Sequence, residues 1–107
     1  MMLALHGKIM GREILRVPPG FRHPTNASGD PVPGAHLELL HGIDTRDHTG
    51  YQIYENVTEG SPVSPVFNSL LELVSWLIAQ GVSRQSAEAF VERGSAPSFA
   101  VQLPKRK

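Results

Sequence analysis

Ser69-Leu70-Leu71-Glu72-Leu73-Val74-Ser75-Trp76-Leu77-Ile78-Ala79-Gln80 is the stretch on which the fold turns. Leu70, Leu73, Val74 and Leu77 recur at the i, i+3, i+4, i+7 spacing of one helix face, and Leu71 and Ile78 widen the stripe. Ser69 and Glu72 form a capping box: the serine oxygen accepts from the third helical N–H and the glutamate reaches back. Gly81 stands where a left-handed C-terminal cap belongs. A helix with one apolar face needs a surface to cover, and its neighbours supply one.

Upstream, Tyr51 to Val57 reads as the best strand. Tyr51, Ile53 and Val57 share one face by the period-two rule, with Gln52, Tyr54 and Asn56 on the other. Thr58-Glu59-Gly60-Ser61-Pro62 supplies turn chemistry. Val63 to Phe67 follows as a second short strand, which Pro65 confines to a sheet edge. Downstream, Ser83 caps a second helix running to about Arg93, with Val82 and Ala87 placed as a hydrophobic staple and Gly94 as its end. After Pro97, Phe99, Val101 and Leu103 alternate with Ala100 and Gln102 as a last strand.

The N-terminal part is richer in loops. Most of the nine prolines and ten glycines lie before residue 66. Arg12 to Val17 is a short strand that Pro18-Pro19-Gly20 ends. Residues 18–34 read as an ordered loop pinned by Phe21 and Val32, and a loop this long without a role is uncommon. Leu37, Leu39 and Leu40 suggest a short strand or a turn of helix, although Pro33-Gly34 and Gly42 weigh against a helix. Residues 1–9 read as a poorly packed leader, since Met10 could itself be a start, 10–104 as one domain, and Lys105-Arg106-Lys107 as a basic tail. Strands and helices are segregated along the chain. The expected class is α+β, a small, mostly antiparallel sheet packed by a pair of C-terminal helices.

Bulk properties narrow the function classes. The chain has 107 residues, enough for one modest core. Ten Lys and Arg balance ten Asp and Glu, which disfavours general nucleic-acid binding. It has no cysteine, so disulfides, zinc ribbons and cysteine nucleophiles are excluded and a cytoplasmic home is expected. No apolar run approaches the roughly 20 residues that cross a bilayer.

Motifs of catalysis are sparse. Gly-x-Ser-x-Gly, Gly-x-Gly-x-x-Gly and phosphate loops are missing from the sequence, and no cofactor is implied. His36, His41, Asp44 and His48 fall within 13 residues and form a weak metal-ligand candidate, but their spacings of five, three and four match no familiar zinc pattern. Trp76 borders the apolar stripe, as a core edge or an interface anchor. Tyr54, opposite Tyr51 and Ile53, is a second candidate anchor.

Two segments carry a resemblance. Arg12-Glu13-Ile14-Leu15-Arg16-Val17-Pro18-Pro19-Gly20-Phe21-Arg22-His23-Pro24 is similar to an R-E-V-R-R-V-P-x-x-x-x-H-P opening. Gly50-Tyr51-Gln52-Ile53-Tyr54-Glu55-Asn56-Val57-Thr58-Glu59-Gly60-Ser61-Pro62-Val63-Ser64-Pro65-Val66-Phe67 resembles a G-[YW]-Q-[LIM]-[YW]-E-x-[VT]-[ST]-E-G-S-P-[VI]-S-P-V-F block. In that pattern a helix with a Trp-Leu pair follows, then a Gly-x-Ala-Pro-Ser end, matched here by Trp76-Leu77 and Gly94-Ser95-Ala96-Pro97-Ser98. The chain thus resembles a family of small uncharacterised bacteriophage and prophage proteins over about residues 11–101. Some members carry upstream cysteine pairs like zinc ribbons; this chain lacks them, so zinc is not implied. The resemblance implies a mobile genetic element as source and carries over no activity.

The expected function is a non-enzymatic protein-binding module, an inhibitor or modulator of a host protein. The expected contact residues are Arg22 and His23 in the loop, Glu59 and Ser61 in the hairpin turn, and Tyr54 and Trp76 as anchors. The alternatives are a metal-dependent enzyme on the His/Asp cluster, a nucleic-acid accessory factor using Lys105 to Lys107 with Tyr54 or Trp76, and a virion component.

Overall fold

The computed structural model describes residues 10–94. The leader at 1–9, the last strand at Phe99 to Leu103 and the basic tail lie outside the described residues. Within them β1 (Arg12–Val17), β2 (Gly50–Glu55) and β3 (Ser61–Phe67) form an antiparallel sheet in the order β1-β2-β3. Helix α1 (His36–His41) and a 3-10 turn (Thr45–Asp47) separate β1 from β2. Helices α2 (Leu70–Ala79) and α3 (Arg84–Arg93) follow the sheet.

The α2 and α3 ends follow their local chemistry. Ser69 Oγ accepts the Glu72 N–H at 3.1 Å, and the Glu72 carboxylate accepts the Asn68 N–H at 3.0 Å, one residue further back than a standard capping box. Gly81, at φ +99°, lets the chain turn left-handed at the end of α2. The Val82 and Gly81 N–H groups then bond the Leu77 and Ile78 carbonyls, a Schellman arrangement. Ser83 Oγ accepts the Ser86 N–H at 3.1 Å to start α3.

One face of the sheet and the two helices enclose the core. Ile53, Phe67, Leu73, Val74, Leu77, Val82, Ala87 and Phe90 are buried together, with Ile14, Tyr51, Val63 and Trp76 packed at their edge. Leu71 does not join them and is 74% exposed. It stands two residues before Leu73, about 200° around the helix axis, so α2 cannot turn both toward one sheet.

Pro65 lies on edge strand β3, where its missing N–H breaks no ladder. Beside it the register slips between Gln52 and Tyr54. There the Ile53 N–H bonds the Ser64 hydroxyl at 2.9 Å, and the Gln52 side chain donates to the Ser64 carbonyl at 2.9 Å. Side chains thus satisfy what a straight ladder would.

One further expectation needs correction, and two open points are decided. β2 ends at Glu55, and Val57 is exposed in the turn. The Glu55 carboxylate accepts the Val57 and Thr58 N–H groups at 2.9 and 3.0 Å and turns the chain before Val57 can pair. Residues 36–41 are helical despite the neighbouring glycines. Gly42 is the terminator: its N–H bonds the Glu38 and Leu39 carbonyls at 3.2 Å. The face of β2 bearing Gln52 and Tyr54 is also not open to solvent. Gln52 and Tyr54 are both buried, and His23 of the loop after β1 and His36 of α1 pack over Tyr54.

Candidate functional site

That second layer is built around Tyr54. Period-two alternation on β2 turns Ile53 to the helices and Tyr54 to the opposite side. His23, from the loop after β1, bonds the Tyr54 hydroxyl through Nδ1 at 3.0 Å and the Val32 carbonyl through Nε2 at 2.7 Å. A carbonyl only accepts, so Nε2 carries the proton. In the neutral ring Nδ1 then accepts from the tyrosine hydroxyl.

His36, at the start of α1, packs its ring 4.3 Å from that of Tyr54 and 5.3 Å from that of His23. It is 2% exposed, and its Nδ1 has no hydrogen-bond partner. Gly60 makes room for it. A Cβ there would fall 2.9 Å from His36 Cε1, and the backbone at Gly60 has φ +113°. The Gly34 N–H bonds the Gly60 carbonyl at 2.8 Å, clasping the loop to the hairpin turn.

The loop carries its own scaffold. Asn26 Oδ1 accepts the Ser28 and Asp30 N–H groups at 2.8 and 3.0 Å. The Val32 N–H returns to the Pro24 carbonyl, and Thr25 bridges Pro31. Residues 24–32 thus make a small closed finger, with an Asx turn at its tip.

Electrostatics follow from these surroundings. Burial, and then the neighbouring His23, hold the His36 imidazole below its ordinary value. Burial pushes the Tyr54 phenol well above its ordinary range. Burial opposes ionisation of Glu55, but the Thr58 hydroxyl and the Thr58 and Val57 N–H groups outweigh it and hold that carboxyl low. The exposed Asp44 carboxyl is lowered by the Arg46 guanidinium, 2.7 Å away, and by the Arg46 N–H.

The expected contact residues are therefore only partly brought together. His23 and Tyr54 meet, and the Gly34–Gly60 clasp puts the loop beside the turn that holds Glu59 and Ser61. Arg22 and Glu59 are exposed, and Ser61 is half-buried. Tyr54 is fully covered, so it supports the layer from beneath and cannot be an exposed anchor. Trp76 sits on the helix side, half-buried with its ring 5.7 Å from Phe67, away from the loop.

His36, His41, Asp44 and His48 do not converge. His36 and His41 are five residues apart on one helix, about 140° around its axis. Asp44 caps the 3-10 turn and pairs with Arg46. Among the described residues no group of three or more His, Cys, Asp or Glu is placed to hold a metal ion.

Sequence reading missed His36 as the partner of His23 and Tyr54. The three lie 13 and 18 residues apart, and no local period links them. It also missed the exposed apolar side chains beside the clasp. Val32 and Leu37, 38% and 59% exposed, flank Gly34, and Val57, 62% exposed, precedes Gly60. Comparison with family models, with curated proteins and with solved structures found no match to this chain.

Proposed function

We propose that the chain is a non-enzymatic protein-binding module of phage or prophage origin, a modulator of a host protein. The observation that carries this reading is the clasp and what surrounds it. Val32, Leu37 and Val57 are exposed and each lies within three residues of Gly34 or Gly60, where a backbone hydrogen bond ties the loop to the hairpin turn. Scattered exposed apolar residues need no explanation, but several close in sequence to one hydrogen-bonded junction suit a partner surface. The ordering matters because a loop already fixed before binding loses less conformational freedom on docking. Arg22 and Glu59 add charges of both signs to the same region. The origin rests on the resemblance of the opening and hairpin segments to phage proteins.

The test is co-purification from the host of the wild-type chain and of a Val32→Ser, Leu37→Ser, Val57→Ser variant. A stoichiometric partner that the wild type retains and the variant loses, at unchanged circular dichroism, supports the reading. A partner held equally by both, or no partner for either, overturns it.

A further inference from the structure

At the His23–Tyr54–His36 contact this side of the molecule rests on ionisable rings, and one ring nitrogen there has no partner for a proton. His36 Nδ1 is enclosed without an acceptor. Its ring is pressed between Tyr54, His23 and the bare backbone of Gly60. Placing a proton on Nδ1 would bury a donor with no partner and put a charge beside a second imidazole, both costly for a ring only 2% exposed.

The layer that His36 secures is separable from the rest. The core cluster formed by Ile53, Phe67, Leu73, Val74, Leu77, Val82, Ala87 and Phe90 includes no residue between 18 and 43. That segment is tied down instead by the His23–Tyr54 hydrogen bond, the tilted His36–Tyr54 ring contact and the Gly34–Gly60 clasp. Segments with little apolar burial open locally at a lower free energy than the global one.

We propose that residues 18–43 form an acid-released flap: protonation of His36 detaches them from Tyr54 and Gly60 while the sheet, α2 and α3 stay folded. The charged and titratable groups on the surrounding elements are Arg22, His23 and Asp30 in the loop, Glu38 and His41 on α1, Glu59 in the hairpin turn against Gly34, and Glu13 on β1 opposite Tyr54. On that face β2 adds only the Tyr54 phenol, and Pro62 and Val66 of β3 are uncharged. Among the described residues the ion pairs are Arg46–Asp44 and Arg84–Glu88, so no carboxylate is positioned to hold a protonated His36.

The sign follows from linkage. An exposed histidine takes up its proton near pH 6.5, and the closed form resists that uptake. The closed form is fully favoured above that pH. As pH falls below it, the ratio of open to closed flap rises by up to about tenfold per pH unit, until the closed ring itself titrates. Any effect on a partner rests on the docking reading above. The opening does not, and is measured on the protein alone.

The experiment is a nuclear magnetic resonance titration from pH 8 to pH 4.5, following the His36 ring and all backbone amides, with amide exchange corrected for its intrinsic pH dependence. The expected result is a His36 titration below pH 6.5, together with falling protection in residues 18–43 and steady protection in α2 and α3. His36→Phe, which keeps an aromatic ring without a proton site, should weaken the pH dependence. A His36 ring that titrates at or above pH 6.5, or a flap whose protection ignores pH, overturns the proposal. The wild-type titration decides even if His36→Phe fails to fold. Failure to find any partner would sink the docking reading and leave this one standing.

Discussion

The two faces of one sheet are covered by unlike means. On the helix side, Leu73, Val74, Leu77, Ala87 and Phe90 press onto Ile53 and Phe67, and the contact is almost wholly apolar. On the loop side, a tyrosine and two histidines carry the contact through a hydrogen bond and tilted ring contacts. Apolar packing is insensitive to pH and to small shifts of position, because it has no direction. Hydrogen-bonded rings are directional, and their strength depends on protonation. The helix side therefore holds the fold, and the loop side presents a surface whose attachment is conditional.

The sharpest way to break this contrast is Leu73→Ala. It empties a fully buried position in the core and should cost about 2–5 kcal/mol of global stability, read by chemical denaturation. A loss confined to the loop signals would show that the two sides are not energetically distinct. Next in size is Gly60→Ala. Its Cβ meets His36 Cε1 at 2.9 Å, and its backbone must hold a φ that alanine rarely adopts. A cost of about 1–3 kcal/mol is expected, expressed as amide exchange in residues 18–43 before exchange in α2.

Tyr54→Phe is smaller. It removes the hydroxyl that bonds His23 Nδ1 and keeps the ring that packs on His36. About 1 kcal/mol should be lost, with the His23 resonances moved and the helix amides unmoved. Least of all is Leu71→Ser. Its side chain points away from the core, so global stability should stay within about 0.5 kcal/mol of wild type. A larger drop would mean that the exposed flank of α2 touches something the helix-side core does not include.

How much of this was legible in the sequence differs between the same two regions. The helix side was readable because its signals are local. Caps at Ser69 and Ser83, the Gly81 turn and the leucine spacing each act within a few residues. The bounds of β1 coincide with those expected, since Pro18 cannot continue the strand. Local rules also misled. The alternation that placed Tyr54 opposite Ile53 was correct, but it carried no information about what would cover Tyr54. Val57 continued the same alternation, yet the Glu55 carboxylate captured the turn first. The histidine cluster drawn from closeness in sequence dissolved, because neighbours on a short helix diverge around its axis.

By itself, then, the chain determined the α+β class, the antiparallel hairpin with a proline on its edge strand, the two capped C-terminal helices and an ordered loop after the first strand. Each depends on backbone geometry and on apolar periods that act over a turn or a strand. Only the tertiary structure decided that the loop lies over Tyr54, that His23 and His36 meet there, and that Gly34 and Gly60 clasp the loop to the hairpin turn. Those contacts join residues far apart in sequence through single hydrogen bonds and tilted ring contacts, which have no repeating pattern to read.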